Sequence, residues 1–218
     1  MAWHDFYSMH LFHLLILAQL SAVATVVNSL FLSDRSYDPL DDPFLAKYGL
    51  RELARVPIEG YESSTLVLRK EDQRLVDFPK RFICAHCRSF GNRGLLVMFD
   101  IDSGGRRGSD LSEPGTAGPR LHGLWTHCAG ERMETCTEKI PFRPPGGSKT
   151  RPQPNRYVLL DFEELELAQK AVNYTAVTKK RFDLAAFLAD NKGELLPRAY
   201  TVVQVGGPGY PYSHRPPA

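Results

Sequence analysis

Past residue 33, the apolar positions fall into short runs separated by polar, glycine and proline breakers. The densest run is GLLVMFDI (94–101), which predicts a central strand. RYVLLDF (156–162) reads as a second buried strand and AYTVVQV (199–205) as a strong final one. ELARVPIEG (52–60), SSTLVLRK (63–70), KRFIC (80–84) and LHGLW (121–125) are shorter strand candidates. Two stretches change period. Residues 163–172 place Leu165, Leu167, Ala168, Ala171 and Val172 at spacings compatible with an amphipathic helix. DLAAFLADNKG (183–193) has a capping Asp183, a stripe of Leu184, Phe187 and Leu188, and Gly193 to end it. Strands and helices do not alternate regularly. The expected fold is therefore α+β, a mainly antiparallel sheet with two C-terminal helical segments.

Two long Gly/Pro-rich loops interrupt the pattern, at 103–120 and 143–155. The first is expected to lie on the surface. The leading segment differs from everything after it: residues 6 to 33 contain no Asp, Glu, Lys or Arg, and residues 11–27 are its apolar centre. Ala22-Val23-Ala24 follows with small residues where a signal peptidase reads. The expected organisation is a signal peptide over 1–24, an N-terminal arm over 25–50, a single α+β domain over 51–206 and a flexible Pro/Gly/Tyr tail over 207–218. The rival reading keeps the leading segment as a membrane anchor, but His13, Gln19, Ser21, Asn28 and Ser29 cost free energy in hydrocarbon. After cleavage no membrane association is expected.

Composition adds little. The chain has 218 residues, 43% hydrophobic and 24% charged, which is ordinary for a globular domain. A net charge of +2 gives no default reason to invoke nucleic acid, and the small basic clusters read as solvated surface. No cofactor is implied.

Export decides how the four cysteines are read. In an oxidising compartment Cys84, Cys87, Cys128 and Cys136 are expected to form two disulfides. Cys84 and Cys87 lie three apart on a predicted strand and so face opposite ways, which favours pairing each with one of Cys128 and Cys136. In a reducing compartment the same four would be candidate zinc ligands, with His127 as a substitute, although only the first pair has ligand spacing. Asn173-Tyr174-Thr175 offers an N-glycosylation acceptor at Asn173.

Three local resemblances carry chemistry. Cys84-Ala85-His86-Cys87 resembles the Cys-Gly-His-Cys centre of thioredoxin-family disulfide isomerases, which implies a redox dithiol. Here Ile83 replaces that family's preceding aromatic residue, and glycines follow where its helix would begin. Asp100-Ile101-Asp102 resembles the metal-binding D-x-D of nucleotide-sugar glycosyltransferases, which implies a lumenal enzyme using Asp100 and Asp102 on a divalent cation. His122-Gly123-Leu124-Trp125 resembles the first catalytic segment of the secreted T2-type ribonucleases. That implies general acid–base catalysis by His122 with His127, although Thr126 stands where that family has proline and its second segment has no counterpart. With no complete catalytic set, the expected function is a secreted, disulfide-stabilised binding protein, an effector or extracellular interaction protein whose partner is a protein or extracellular ligand. A secreted hydrolase is the alternative.

Overall fold

The structure, a computed structural model, describes residues 42–50, 53–55, 67–72, 76–77, 94–105, 110–128, 135–147, 153–165, 170–178 and 180–207. All belong to one unit, Asp38–Ala218. Among them, seven strands form one sheet: β1 (Ala54–Arg55), β2 (Val67–Arg69), β3 (Gly94–Asp100), β4 (Arg120–Cys128), β5 (Thr137–Ile140), β6 (Asn155–Glu164) and β7 (Leu195–Gly206). The order is β1-β7-β6-β3-β4-β5, with β2 also on β7. β1 and β2 run parallel to β7, and every other pairing is antiparallel. The sheet is thus mixed, with an antiparallel centre.

The centre forms where the apolar runs are longest. β3 is buried along its whole length. Its side chains alternate between two cores, as a strand covered on both faces requires. Leu96 and Met98 join Trp125, Tyr157, Leu159 and Val203 on the first face. Leu95, Val97 and Phe99 join Val158, Leu160 and Val202 on the second. Two short helices supply side chains to the second face. In α1 (Pro43–Ala46) Asp42 caps the first turn, accepting from Phe44 N and Leu45 N, while Phe44 and Leu45 are buried. In α2 (Leu184–Asp190) Asp183 accepts from Ala186 N, and Leu184 and Phe187 face the sheet.

Three expectations need correction. The proposed helix over 163–172 is not formed by the described residues. β6 continues through Glu164, the Leu165 N–H bonds to Glu194 O, and 170–172 carry no helix. Pairing with β7, matched almost residue for residue, outweighs the weak 3.6-residue period. The loop after β3 is not a loose surface excursion either. It folds back on its own start through Gly115 N–H to Ile101 O and Ala117 N–H to Ser103 O. Finally, Cys128 and Cys136 bond to each other, which rules out the favoured cross-pairing. β4 and β5 are neighbours in a hairpin, so the two thiols meet locally. Cys84, Cys87, the KRFIC strand, the leading segment and residues 208–218 lie outside the described residues.

One ion-pair cluster ties these parts together. Arg156, on β6, is fully buried. It donates through Nε and its backbone N–H to Asp102 Oδ2 and through Nη2 to Oδ1, at 2.8–3.0 Å. Its Nη1 donates to Asp42 Oδ2 at 3.1 Å and to the Leu111 carbonyl at 2.8 Å. Replacing one member of such a cluster strands the others as uncompensated charges. Arg156→Met should therefore cost about 3–5 kcal/mol, read as a lower urea midpoint; an unchanged midpoint would show that the cluster is not what holds α1 and the loop to β6.

Candidate functional site

The end of the sheet where β3 stops, β4 starts and β6 starts carries polar side chains on both faces. Arg156 and its two carboxylates occupy the second face. The first face holds a different group: Asp100, His122, Asn155 and Tyr157. Register explains the grouping. Asp100 pairs with Tyr157 across β3 and β6, so both side chains leave the same face, and Asn155 precedes Tyr157 by two residues and shares it.

His122 joins them through a bulge. Met98 pairs with Gly123 and Phe99 with Leu121, leaving His122 as the extra residue of β4. Such an insertion re-aims a side chain. The imidazole turns edge-on to the Tyr157 ring, with centroids 4.9 Å apart. Gly123 makes the neighbouring packing feasible: a Cβ there would come within 2.3 Å of the Trp125 indole, which lies across it.

Asp100 Oδ1 accepts from the Asp102 N–H at 2.9 Å, and Oδ2 accepts from Asn155 Nδ2 at 3.1 Å. Both partners are neutral. The nearby charge is that of Asp102, of like sign. Burial first, and Asp102 second, push the Asp100 carboxyl up to about 7. His122 is 9% exposed. Its Nδ1 lies 3.0 Å from the Arg143 carbonyl, which makes Nδ1 the protonated nitrogen and leaves Nε2 as the atom open to another group. Burial depresses its pKa, and the charges of Arg120 and Arg143 act in the same direction. The Tyr157 hydroxyl donates to Gly146 O at 2.5 Å and accepts from Gly146 N–H at 3.1 Å. Burial, then the Asp100 charge, keep it a neutral phenol. The cluster is therefore a set of hydrogen-bonding groups of adjustable charge, with two arginines beside its histidine.

The residues singled out in the sequence separate here. Asp100 and Asp102 diverge: β3 ends at Asp100 and the chain turns before Asp102, so one carboxylate meets the hydrogen-bonding cluster and the other Arg156. They do not form a solvent-facing pair for a metal, and no cluster of metal-ligating side chains occurs among the described residues. His122 and His127 also part. Five residues of strand set them about 16 Å apart. His127 is exposed at φ 54°, against Thr126 Oγ1. Asn173 is exposed, its side chain accepting from Thr175 N–H in an Asx turn. Asn155, Tyr157, Arg143 and Gly146 were not anticipated. Their one signal was a polar Asn-Arg-Tyr head on an otherwise apolar strand.

No protein-family model and no curated protein matches the chain. Similar solved structures include a carboxypeptidase Y inhibitor in complex with its cognate proteinase, at 16% identity and a TM-score of 0.38. The match covers 53% of this chain and 61% of that one, so the chain spans under two thirds of the inhibitor's length. A phosphatidylethanolamine-binding protein from Plasmodium vivax matches at 12% identity over 78% of this chain and 100% of that one, with a TM-score of 0.36. One from Plasmodium falciparum matches at 12% over 57% and 67%, with a TM-score of 0.34. The chemistry of the site rests on this chain's own residues.

Asp100 gives the site a pH signature. An unfolded Asp ionises near pH 3.9. Between there and about 7 the native state holds a proton that the unfolded chain has lost, so stability falls as pH rises across that window. Asp161 is also raised to about 7, by burial and then by Glu163, and acts in the same sense. Urea titrations at pH 4.5, 6 and 8 should show a shallower decline in Asp100→Asn than in the unsubstituted protein, with the gain largest at pH 8; parallel profiles would contradict the assignment.

Proposed function

We propose that the chain is a binding protein whose ligand, a small phosphate-bearing molecule, is taken up at the Asp100–His122–Asn155–Tyr157 cluster. The observation that carries this reading is Asp100: a buried carboxylate whose two hydrogen-bond donors are neutral, in a fold that has placed its buried arginine on the other face. Retaining an acid whose carboxyl burial pushes up to about 7 is costly in a scaffold and useful in a site. A protonated Asp100 can donate. His122 Nε2, once the ring is protonated, can donate as well. Arg120 and Arg143, both exposed, supply positive potential at the histidine. Nothing in the arrangement positions a nucleophile or a general-base pair, so the reading is recognition rather than turnover.

Inorganic phosphate serves as the probe, with the His122 ring resonances followed by NMR. Saturable shifts are expected, stronger at pH 6 than at pH 8, because a protonated Asp100 favours an anion and a bound anion draws a proton onto His122 against the depression that burial imposes. His122→Ala should weaken phosphate binding about tenfold, the worth of one charge-assisted hydrogen bond. Absence of saturation at either pH would end this reading.

The chain is further proposed to be exported and to meet its ligand outside the cytosol. The uncharged leading segment with Ala22-Val23-Ala24 supports this, as does a disulfide between Cys128 and Cys136. An exposed Asn173 in an Asx turn suits a glycan. Intact mass of the protein from a eukaryotic secretory host, alkylated without reduction, should show loss of the first two dozen residues, about one glycan on Asn173, and no alkylated sulfur. A full-length chain with alkylated cysteines would instead place it in a reducing compartment.

A further inference from the structure

A concavity lies against the core opposite the Asp100–His122 cluster. It measures about 370 Å³ and sits where α1, the return of the loop after β3 and the start of α2 converge. Its apolar lining includes Phe44, Phe182 and Leu184, all buried members of the second-face core, with Pro114 and Pro119 alongside. Tyr48 stands at the side, half-buried, its ring 5.2 Å from Phe44. Its hydroxyl has no hydrogen-bond partner among the described residues. The volume falls within the roughly 300–1,000 Å³ range of small-molecule sites.

The charges around it are unequally committed. Asp183 caps α2 through Ala186 N–H. Glu113 is paired with Lys47 at 2.5 Å. Arg181 lines the concavity and is exposed; its backbone bonds to Thr178, but its guanidinium has no acceptor among the described residues. Of the two charged groups in the lining, the Asp183 carboxylate is turned to the α2 cap and the Arg181 guanidinium is left to face a ligand, beside a wall of aromatic and proline surface. A guanidinium takes a carboxylate through two parallel N–H bonds, and an aromatic wall takes a flat apolar body.

We infer that this groove is a second binding site, separate from the Asp100–His122 cluster, for an amphipathic carboxylate with a planar apolar body, its anionic end held by Arg181 and Tyr48. The occupant is small: the volume suits one or two fused rings rather than a polypeptide segment. The site does not depend on the phosphate reading, since the two lie against opposite cores of the sheet.

Calorimetric titration with 1-naphthoate, and with the neutral 1-naphthalenemethanol as its uncharged counterpart, tests the inference on the full chain. One molar equivalent of naphthoate should bind, about tenfold more tightly than the alcohol, in line with one charge-assisted contact. Arg181→Gln should bring naphthoate down to the alcohol's affinity and leave the alcohol unchanged, while Arg181→Lys keeps part of the preference. Ala117→Phe, which fills the groove from its exposed edge, should abolish binding of both. Equal affinity for acid and alcohol, or an Arg181→Gln variant that binds naphthoate normally, would overturn the inference. So would failure of naphthoate to bind, or binding that survives in a folded Ala117→Phe protein. The Arg181 substitutions are on an exposed side chain, so they decide the matter even if Ala117→Phe does not fold.

Discussion

The structure depends on a guanidinium with no access to water. Arg156 leaves β6 into the second core and finds two carboxylates, one from the turn after β3 and one from the cap of α1. Taking three charges out of water costs several kcal/mol apiece, recovered only if each polar atom finds a partner in good geometry. That condition is met here. Asp102 takes Nε, Nη2 and the backbone N–H; Asp42 takes Nη1 and also caps a helix; the Leu111 carbonyl completes the set. What the cluster supplies is position. A segment at residue 42 and a loop at residue 111 are both fixed against a strand that begins at residue 155, with the charged groups joining all three at one point.

That commitment leaves the other face with a deficit. Asp100 and Asp102 are two residues apart, yet only Asp102 reaches the arginine, because β3 ends at Asp100 and the chain turns before Asp102. Asp100 keeps the direction of the strand and meets Asn155 and Tyr157. One strand end thus divides its acids: Asp102 is neutralised by a cation, while Asp100, buried among neutral donors, has its carboxyl pushed up to about 7. The two candidate sites follow the same division. The polar cluster belongs to the first face, and the groove under Arg181 to the second, where α1 is held in place by the Asp42–Arg156 contact.

Much of the sheet was legible in the sequence. GLLVMFDI, RYVLLDF and AYTVVQV are long, apolar and β-branched or aromatic, and burial on both faces leaves little else they can be. The capped helix at 184–190 was legible because a cap, a stripe and a terminator agree. The segment after Asp161 was not, because its apolar spacing suits a helix while its fate is set by β7, a partner more than thirty residues away. The disulfide was misjudged for a related reason. Strand alternation at Cys84 and Cys87 was considered, but the hairpin that brings Cys128 to Cys136 required knowing that TEKI, with its polar and exposed side chains, is a strand at all. The candidate site was half visible. His122 and Asp100 were singled out, each with the wrong companion, since proximity in sequence suggested His127 and Asp102 where the pleat and the register deliver Tyr157 and Asn155.

The bulge at His122 explains why the neighbouring letters misled. In an unbroken strand, Leu121 and Leu124 would point to opposite faces; here both lie in the second core, so one residue between them must be surplus to the pairing. Gly123 absorbs the kink because the Trp125 indole needs the space a side chain would fill. The result is an imidazole lifted out of the ladder's alternation and set edge-on to Tyr157, with one nitrogen fixed by the Arg143 carbonyl. A histidine serving only as packing could sit in register. Breaking a central antiparallel pair, and holding the break open with a glycine under a tryptophan, makes physical sense if the orientation of that ring is what the strand end is built to present.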